Sequence, residues 1–422
     1  MNLLIYAHTL FRPTVAPRFP AGPHFMSPSN KMTPLELRAS IGLSGIFGLR
    51  LLGMFVILPV FAIYAERLPG GNDLTLVGIA LGAYGLTQAI LQIPFGWWSD
   101  RIGRKPVVYI GLVIFAIGSF VAALAPNIYI VILGRILQGA GAISAAVIAM
   151  TADLTREDQR AKAMAMIGST IGVSFALSLI ASPWLDRVIG VPGIFAMTGL
   201  LALAGIIVMW RFIPDPPPPP PAPGRGLKDF WNVLLDPQLA RLNWGIFALH
   251  AVLMALFIVV PFSLRDAGLP VADHWRVYLP VMLGSFVLML PPIMQAGKPE
   301  LLRRWFIIAV ALLLAGHLAL PWLNENLWLL SLFLLVFFVP FNVLEAMLPT
   351  LTTRLAPAHA KGTAIGLYST IQFFGAFVGA VAGGFLYQHW GVAGVVVLDA
   401  VLLAIWLILA FGMRVPPVAA RT

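Results

Sequence analysis

The sequence predicts an all-α polytopic membrane protein, with twelve transmembrane helices in two six-helix bundles. Three observations carry this. Of 422 residues, 59% are hydrophobic and only 10% are charged, whereas soluble domains carry about 25% charged residues and need them against water. Apolar runs recur at roughly 20 residues, the length of a helix that crosses hydrocarbon, rather than as the alternating ten-mers of barrel strands. Only helices and closed barrels satisfy their own backbone in lipid, so the run length decides for helices. A proline run near the middle then divides the chain in two.

Taken in order, residues 1–37 are expected to form a disordered cytoplasmic tail. Pro13, Pro17, Pro20, Pro23 and Pro28 interrupt it, and it lacks the apolar core of a signal peptide. Met26 and Met32 are alternative starts to Met1. The first bundle, 38–213, holds spans near 40–66, 75–98, 106–124, 128–151, 163–185 and 191–212. A cytoplasmic linker, 214–239, begins with Pro214–Asp215–Pro216 and runs through Pro223, a stiff spacer that cannot continue a helix. Leu227–Leu235 within it is amphipathic and is expected to lie along the membrane surface. The second bundle, 240–413, holds spans near 240–263, 275–294, 302–321, 326–350, 361–387 and 392–413. A cytoplasmic tail, 414–422, ends the chain.

Basic residues set the orientation. With both termini inside, the inner segments carry 21 Lys and Arg and the outer loops only Arg67, Arg187, Arg265 and Arg276, the asymmetry of cytoplasmic loops. The same rule accounts for the net charge of +10 and removes any need for a nucleic-acid partner. There is no cysteine, hence no disulfide framework and no thiolate chemistry. No metal-ligand cluster, phosphate loop or nucleophile motif is present. No cofactor, no metal and no enzymatic activity are expected.

A faint repeat links the halves. Ala161–Lys162 and Ser169–Thr170–Ile171 recur as Ala360–Lys361 and Ser369–Thr370–Ile371. Parallel six-helix repeats place a substrate site between them near the bilayer midplane.

The loop from Gly96 to Pro106 packs three cations, one acid and two glycines between two spans. Gly96 and Gly103 permit tight backbone geometry, and Asp100 and Arg104 suit helix ends and ion pairs. The pattern G-x-x-x-D-R-x-G-R-K closely resembles the signature loop of the major facilitator superfamily. The resemblance implies the twelve-helix major facilitator fold and a cytoplasmic conformational latch formed by Gly96, Asp100, Arg101, Gly103, Arg104 and Lys105. Its implied partners are Asp153 and the helix start near Lys361–Gly362.

Arg135–Ile136–Leu137–Gln138–Gly139–Ala140–Gly141–Ala142 lies inside the fourth span, where a charge must find a partner or a wet cavity. It resembles the family's R-x-x-Q-G-x-G-A motif, which implies a role for Arg135 in proton coupling or anion binding. In the fifth span, Ser182–Pro183 stands where the family's exporters show Gly-Pro. That partial match weakens the inference of antiport.

Glu345 lies within the tenth span, where a carboxyl must be neutralised or paired, a natural place for a transported proton. The segment through Lys361–Gly366 resembles the YajR-like, drug:proton antiporter-like branch of the superfamily. His250, in the seventh span, is a proton-coupling residue or a satisfied core histidine. Tyr84, Gln88, Gln138, Asn342, Tyr368 and Gln372 are candidates to line a substrate cavity or to bond helix to helix; Gln92 is a further one. Asp399 and His317 are weaker candidates on peripheral spans, and Arg50 is expected to snorkel near the cytoplasmic end. Together these readings point to a monomeric secondary transporter in a bacterial inner membrane. It works by alternating access, with protons, a small-molecule substrate and the bilayer as partners and proton-coupled efflux of a small amphipathic compound as its activity. A proton-linked importer, a metabolite uniporter, a membrane sensor and a lipid scramblase are the alternatives.

Overall fold

In the computed structural model, residues 31–216, 227–296, 298–323 and 326–414 are described. They form α1 (Pro34–Phe55), α2 (Leu58–Ala65), α3 (Leu74–Ile102), α4 (Arg104–Ala123), α5 (Ile128–Ala140), α6 (Ser144–Asp153) and α7 (Arg160–Phe212). There follow α8 (Leu227–Leu235), α9 (Pro237–Asp266), α10 (Trp275–Leu288), α11 (Leu290–Gln295), α12 (Pro299–Leu323), α13 (Leu327–Leu355) and α14 (Lys361–Phe411). No strand occurs among the described residues. The expected tails 1–30 and 415–422 and the proline run 217–226 lie outside them.

Ten helical segments are long and apolar enough to cross a membrane. Two of them, α7 with 53 residues and α14 with 51, would each extend about 75–80 Å if straight, far beyond one hydrocarbon layer. Each is broken where a glycine takes a positive φ, 67° at Gly190 and 59° at Gly391, a backbone that side chains with a Cβ resist. Each therefore crosses twice, which gives the twelve spans the apolar runs predict. The breaks stand 201 positions apart, so the internal repeat is structural as well as sequential.

The span starts follow local chemistry. Thr33 and Glu36 form a reciprocal capping box on α1, and Asp73, Asn127, Asp236 and Asn326 each accept backbone N–H bonds at the start of α3, α5, α9 and α13. Such caps satisfy the donors that a helix leaves unpaired at its N-terminus. Two spans are interrupted at depth: α1 gives way to α2 just before Pro59, and α5 to α6 at 141–143.

All span ends that carry the chain termini gather on one face, here the terminal face. Arg38 Nη2 donates to the carbonyl of Arg211 at 3.0 Å, and Arg241 Nη1 to that of Gly412 at 2.6 Å. Arg156 reaches back to Glu36 at 2.9 Å and ties the α6–α7 loop to the start of α1; this bond holds the Arg156 guanidinium above its ordinary pKa. At the opposite face, the two parts of the chain close on each other. Glu66 pairs with Arg265 at 2.8 Å, and the Gln388 side chain accepts the Leu74 N–H. There α3 and α14 touch backbone to backbone, since a Cβ on Gly78 would stand 2.2 Å from the Ala380 carbonyl and one on Gly384 2.1 Å from that of Leu74. Nearer the terminal face the glycines of α7 and α14 make no such approach. A Cβ on Gly168, Gly172, Gly362 or Gly366 would meet nothing within 4 Å.

One expectation needs correction. Arg50 does not snorkel: α1 begins sixteen residues earlier, at Pro34, which puts Arg50 about 24 Å along the helix, and it is only 5% exposed. The amphipathic helix α8 packs one face on protein. Its Val233 is buried against Ala356, Ala360, Ala364 and Leu367, at the start of α14, while Trp231 remains half exposed.

Candidate functional site

Three groups of polar side chains interrupt the apolar interior. The first lies among the spans before the linker. Arg135 and Gln138 stand one helical turn apart on α5 and share a face. Arg135 Nη1 donates to Gln138 Oε1 at 2.8 Å, and its guanidinium also reaches the carbonyls of Ala80 at 3.3 Å and Gly53 at 3.4 Å. Gln138 in turn donates to Ser119 at 2.8 Å. Arg50 bonds Ser144 at 2.9 Å and the Gln88 side chain, and Gln88 continues to Gln92 at 3.1 Å. Tyr84 lies between the cations, with its ring 4.9 Å from the Arg135 guanidinium and 5.7 Å from that of Arg50. Every contact here is neutral, so both charges rest on hydrogen bonds and an aromatic face rather than on a carboxylate. Gly139 lets this layer assemble: a Cβ there would stand 2.2 Å from the Tyr84 carbonyl.

The second group lies among the spans after the linker. Gln372 Nε2 lies 2.8 Å from His250 Nε2 and donates to Glu345 Oε1 at 3.3 Å. His250 and Glu345 are themselves 4.0 Å apart. Three spans, α9, α13 and α14, therefore meet at one carboxyl. The second oxygen of Glu345 and the hydroxyl of Tyr368 have no hydrogen-bond partner. The Glu345 side chain keeps 23% of its exposure, although its unpartnered oxygen is itself buried. Asn342 is spoken for, donating to Ser285 on α10 at 3.0 Å.

An aromatic cluster roofs this group on the side of the opposite face. Phe175 of α7 packs 5.8 Å from both Phe338 and Phe341 of α13, 6.4 Å from Phe257 of α9 and 5.0 Å from Phe55 of α1. Phe341 stands 6.2 Å from the His250 ring and one turn from Glu345. The cluster joins helices from both sides of the linker. Each of its rings is an ordinary apolar residue in an apolar span, so nothing in the sequence marks it.

The third group is the loop at the terminal face. Gly103 adopts φ 97° and is at once the last cap of α3 and the first of α4, the tight turn expected of it. Arg104 Nε meets Asp153 at 3.0 Å, Nη1 meets Ser99 at 2.8 Å, and Asp100 completes the set. Arg101 lies on the Trp97 ring at 3.6 Å. Lys105 pairs with Asp215, just past α7, at 2.8 Å. Gly96 only brushes Ala145, where a Cβ would stand at 3.3 Å. The expected meeting of Asp100 with the helix start near Lys361–Gly362 is not formed: Asp100 turns to Arg104, and the space beside Gly362 is open.

The structure thus brings His250, Glu345, Gln372 and Tyr368 together, and separately Arg135, Gln138, Tyr84 and Gln88. It does not join Arg135 to Glu345 and His250, since its contacts all fall between residues 53 and 138. Tyr84 and Gln138, only 1% and 0% exposed, are packed inside the first layer rather than set along an open wall. Arg50, Ser119 and Ser144 complete that layer and were not singled out for it by the sequence pattern. His317 and Asp399 form a further buried pair, 3.6 Å apart between α12 and α14.

Membrane-crossing helices that repeat their backbone breaks, bury two arginines and one clustered carboxyl, and close at one face define an integral membrane transporter of small molecules, not an enzyme. The chain belongs to the major facilitator superfamily: the model described as Major Facilitator Superfamily matches residues 43–380 and, overlapping, 301–422. It is 44% identical over 389 residues to the inner membrane transport protein YajR of Escherichia coli (strain K12), covering 92% of this chain and 86% of that one. It is 25% identical over 352 residues to the quinolone resistance protein NorA of Staphylococcus aureus (strain MSSA476), covering 80% and 87%. Among solved structures, a bacterial homologue of the human lysosomal transporter Spinster, inward-facing and occupied, superposes with a TM-score of 0.73 at 15% identity. That match covers 90% of this chain and 97% of that one.

Proposed function

We propose that the protein is a monomeric, proton-coupled efflux transporter of a small amphipathic compound in a bacterial inner membrane, with both termini in the cytoplasm. The observation that carries this reading is the convergence of His250, Glu345 and Gln372 beneath the aromatic roof, with a carboxyl oxygen and the Tyr368 hydroxyl still unpartnered. A buried carboxyl with one oxygen unpartnered, polar on one side and apolar on the other, binds a proton or a ligand group and biases the protein between two states. The 21-to-4 distribution of basic residues supports a cytoplasmic terminal face. On that orientation the gap beside Gly168 and Gly366 opens inward, and residues 38–213 and 240–413 are two bundles that rock about the linker 214–239. Gly96–Lys105 and Asp153 are the latch that re-forms against the start of α14 when the inner side closes. The kinship with a relative named for quinolone resistance supports efflux of amphipathic compounds.

The test is quinolone flux in proteoliposomes under an imposed pH gradient. The wild-type protein is expected to accelerate with the gradient. Glu345→Gln is expected to abolish that acceleration while leaving the protein folded. Gradient dependence equal to wild type in Glu345→Gln refutes the assignment.

A further inference from the structure

A groove of about 320 Å³ opens on the terminal face between the start of α1 and the end of α7, remote from the central polar groups. Pro34, Leu35, Phe212, Ile213 and Pro214 supply its apolar wall, and Arg38 and Arg211 its charged lining among the described residues. Neither guanidinium makes an ion pair among the described residues. Glu36, the nearest acid in sequence, is turned away to Arg156, and Asp215 is taken by Lys105. Arg38 is held in place: it donates to the Arg211 carbonyl at 3.0 Å and lies 5.4 Å from the Phe212 ring.

The surroundings say which medium the groove meets. Leu35, Ile41, Ile207, Trp210 and Phe212 are 54%, 56%, 60%, 74% and 48% exposed, an apolar surface that belongs against acyl chains. Two unneutralised arginines at the end of a span, beside an outward apolar wall, match a phosphate joined to hydrocarbon tails.

The other half of the repeat supplies an internal comparison. Arg241 of α9 takes the place of Arg38, donating to the carbonyl of Gly412 at the end of α14. There a second arginine, Arg303, is spent on the neighbouring carbonyl of Phe411 at 2.6 Å, and the Arg241 side chain lies within 2.8 Å of where a Gly412 Cβ would stand. The cations on that side serve the helix end. In the first half Lys105, at the start of α4, goes to Asp215 and no second arginine is spent on the end of α7 among the described residues, so the groove stays open.

We infer that Arg38 and Arg211 form a binding site for the headgroup phosphate of an anionic phospholipid, whose chains run along Ile41 and Ile207. On the orientation proposed above, the lipid sits in the inner leaflet.

The test titrates the purified full-length protein with phosphatidylglycerol, phosphatidylcholine or sodium phosphate and reads binding by native mass spectrometry and thermal shift. Phosphatidylglycerol is expected to bind and to raise the melting temperature. Arg211→Gln keeps its backbone carbonyl and the Arg38 bond, so it folds; it is expected to weaken phosphatidylglycerol about fivefold, the worth of one arginine near an anionic headgroup. Arg38→Gln is expected to act in the same direction, and Arg241→Gln to leave lipid binding unchanged. Wild-type affinity in Arg211→Gln, equal binding of phosphatidylcholine, equal loss in Arg241→Gln, or complete competition by inorganic phosphate each overturns the assignment.

Discussion

Arg104 shows how one side chain can carry a switch. Its guanidinium is engaged on three sides, by Asp100, Ser99 and Asp153, and a planar fork serves several acceptors at fixed angles. Asp100→Asn keeps the shape but removes one charge. Arg104 retains Asp153 at 3.0 Å, so the variant is expected to reach the membrane at wild-type abundance. The latch proposed above loses the charge on one partner of a bond worth about 1.5–3 kcal/mol, or tenfold and more in a two-state equilibrium if the whole bond is lost. Transport is expected to fall by at least about tenfold on the same estimate, read by flux in vesicles with the protein quantified by immunoblot. Wild-type flux at wild-type abundance is the contrary result. The residue scale is also where sequence reading reaches its limit. Glu345 and Asp399 look alike in the chain, each a lone acid in an apolar span. Only the fold shows that Glu345 keeps 23% exposure beside Gln372 and His250, whereas Asp399 is sealed at 0% against His317. Partner identity depends on other helices, whose contributing residues lie 27 to 95 positions away, and no local pattern encodes it.

At the scale of elements, the contact of α3 with α14 bears on the proposed alternation between states. The two helices approach through glycine at the opposite face and part toward the terminal face. Backbones that touch this closely gain dispersion contacts that any Cβ forbids. Gly78→Ala and Gly384→Ala place a carbon 2.2 Å and 2.1 Å from a carbonyl oxygen on the other helix, and no rotamer change relieves a clash with backbone. Overpacking of this kind costs about 1–3 kcal/mol, and the cost falls only on the state in which the helices touch. Both variants are expected to populate the state open at the opposite face. Spin labels at Asn72→Cys and His389→Cys read this as a shift from a short to a longer distance, in a chain that has no native cysteine. An unchanged distance distribution would show that these glycines do not govern closure. The helices themselves were legible, because apolar length and caps such as Asp73 and Asn127 are local. The breaks were legible only as gaps between apolar runs; the positive φ of Gly190 and Gly391 makes each a sharp turn without a loop.

For the whole molecule, a repeat in the chain becomes a hinge in space. Gly190 and Gly391 mark equivalent turns, and Arg38 and Arg241 brace equivalent helix ends. In the proposed cycle, two similar units joined by one aromatic seam move against each other more readily than either deforms, because packed interiors shift between discrete arrangements. The seam at Phe175 and the pair Glu66–Arg265 hold the opposite face shut, while the glycines near the terminal face stand apart. Alternating access then predicts a sidedness that can be measured. Gly366→Cys adds a side chain where nothing lies within 4 Å, so it is expected to react with a membrane-impermeant maleimide in inside-out vesicles and to resist it in right-side-out ones. Gly82→Cys meets the α14 backbone at 3.0 Å and is expected to be protected from both sides while the opposite face is closed. Addition of a transported compound that draws the protein into its other state should slow labelling at 366 and expose the opposite face, since a ligand shifts a two-state equilibrium only by preferring one state. Labelling of Gly366→Cys from the outer side alone would invert the assigned orientation, and labelling indifferent to substrate would rule out the rocking of the two halves.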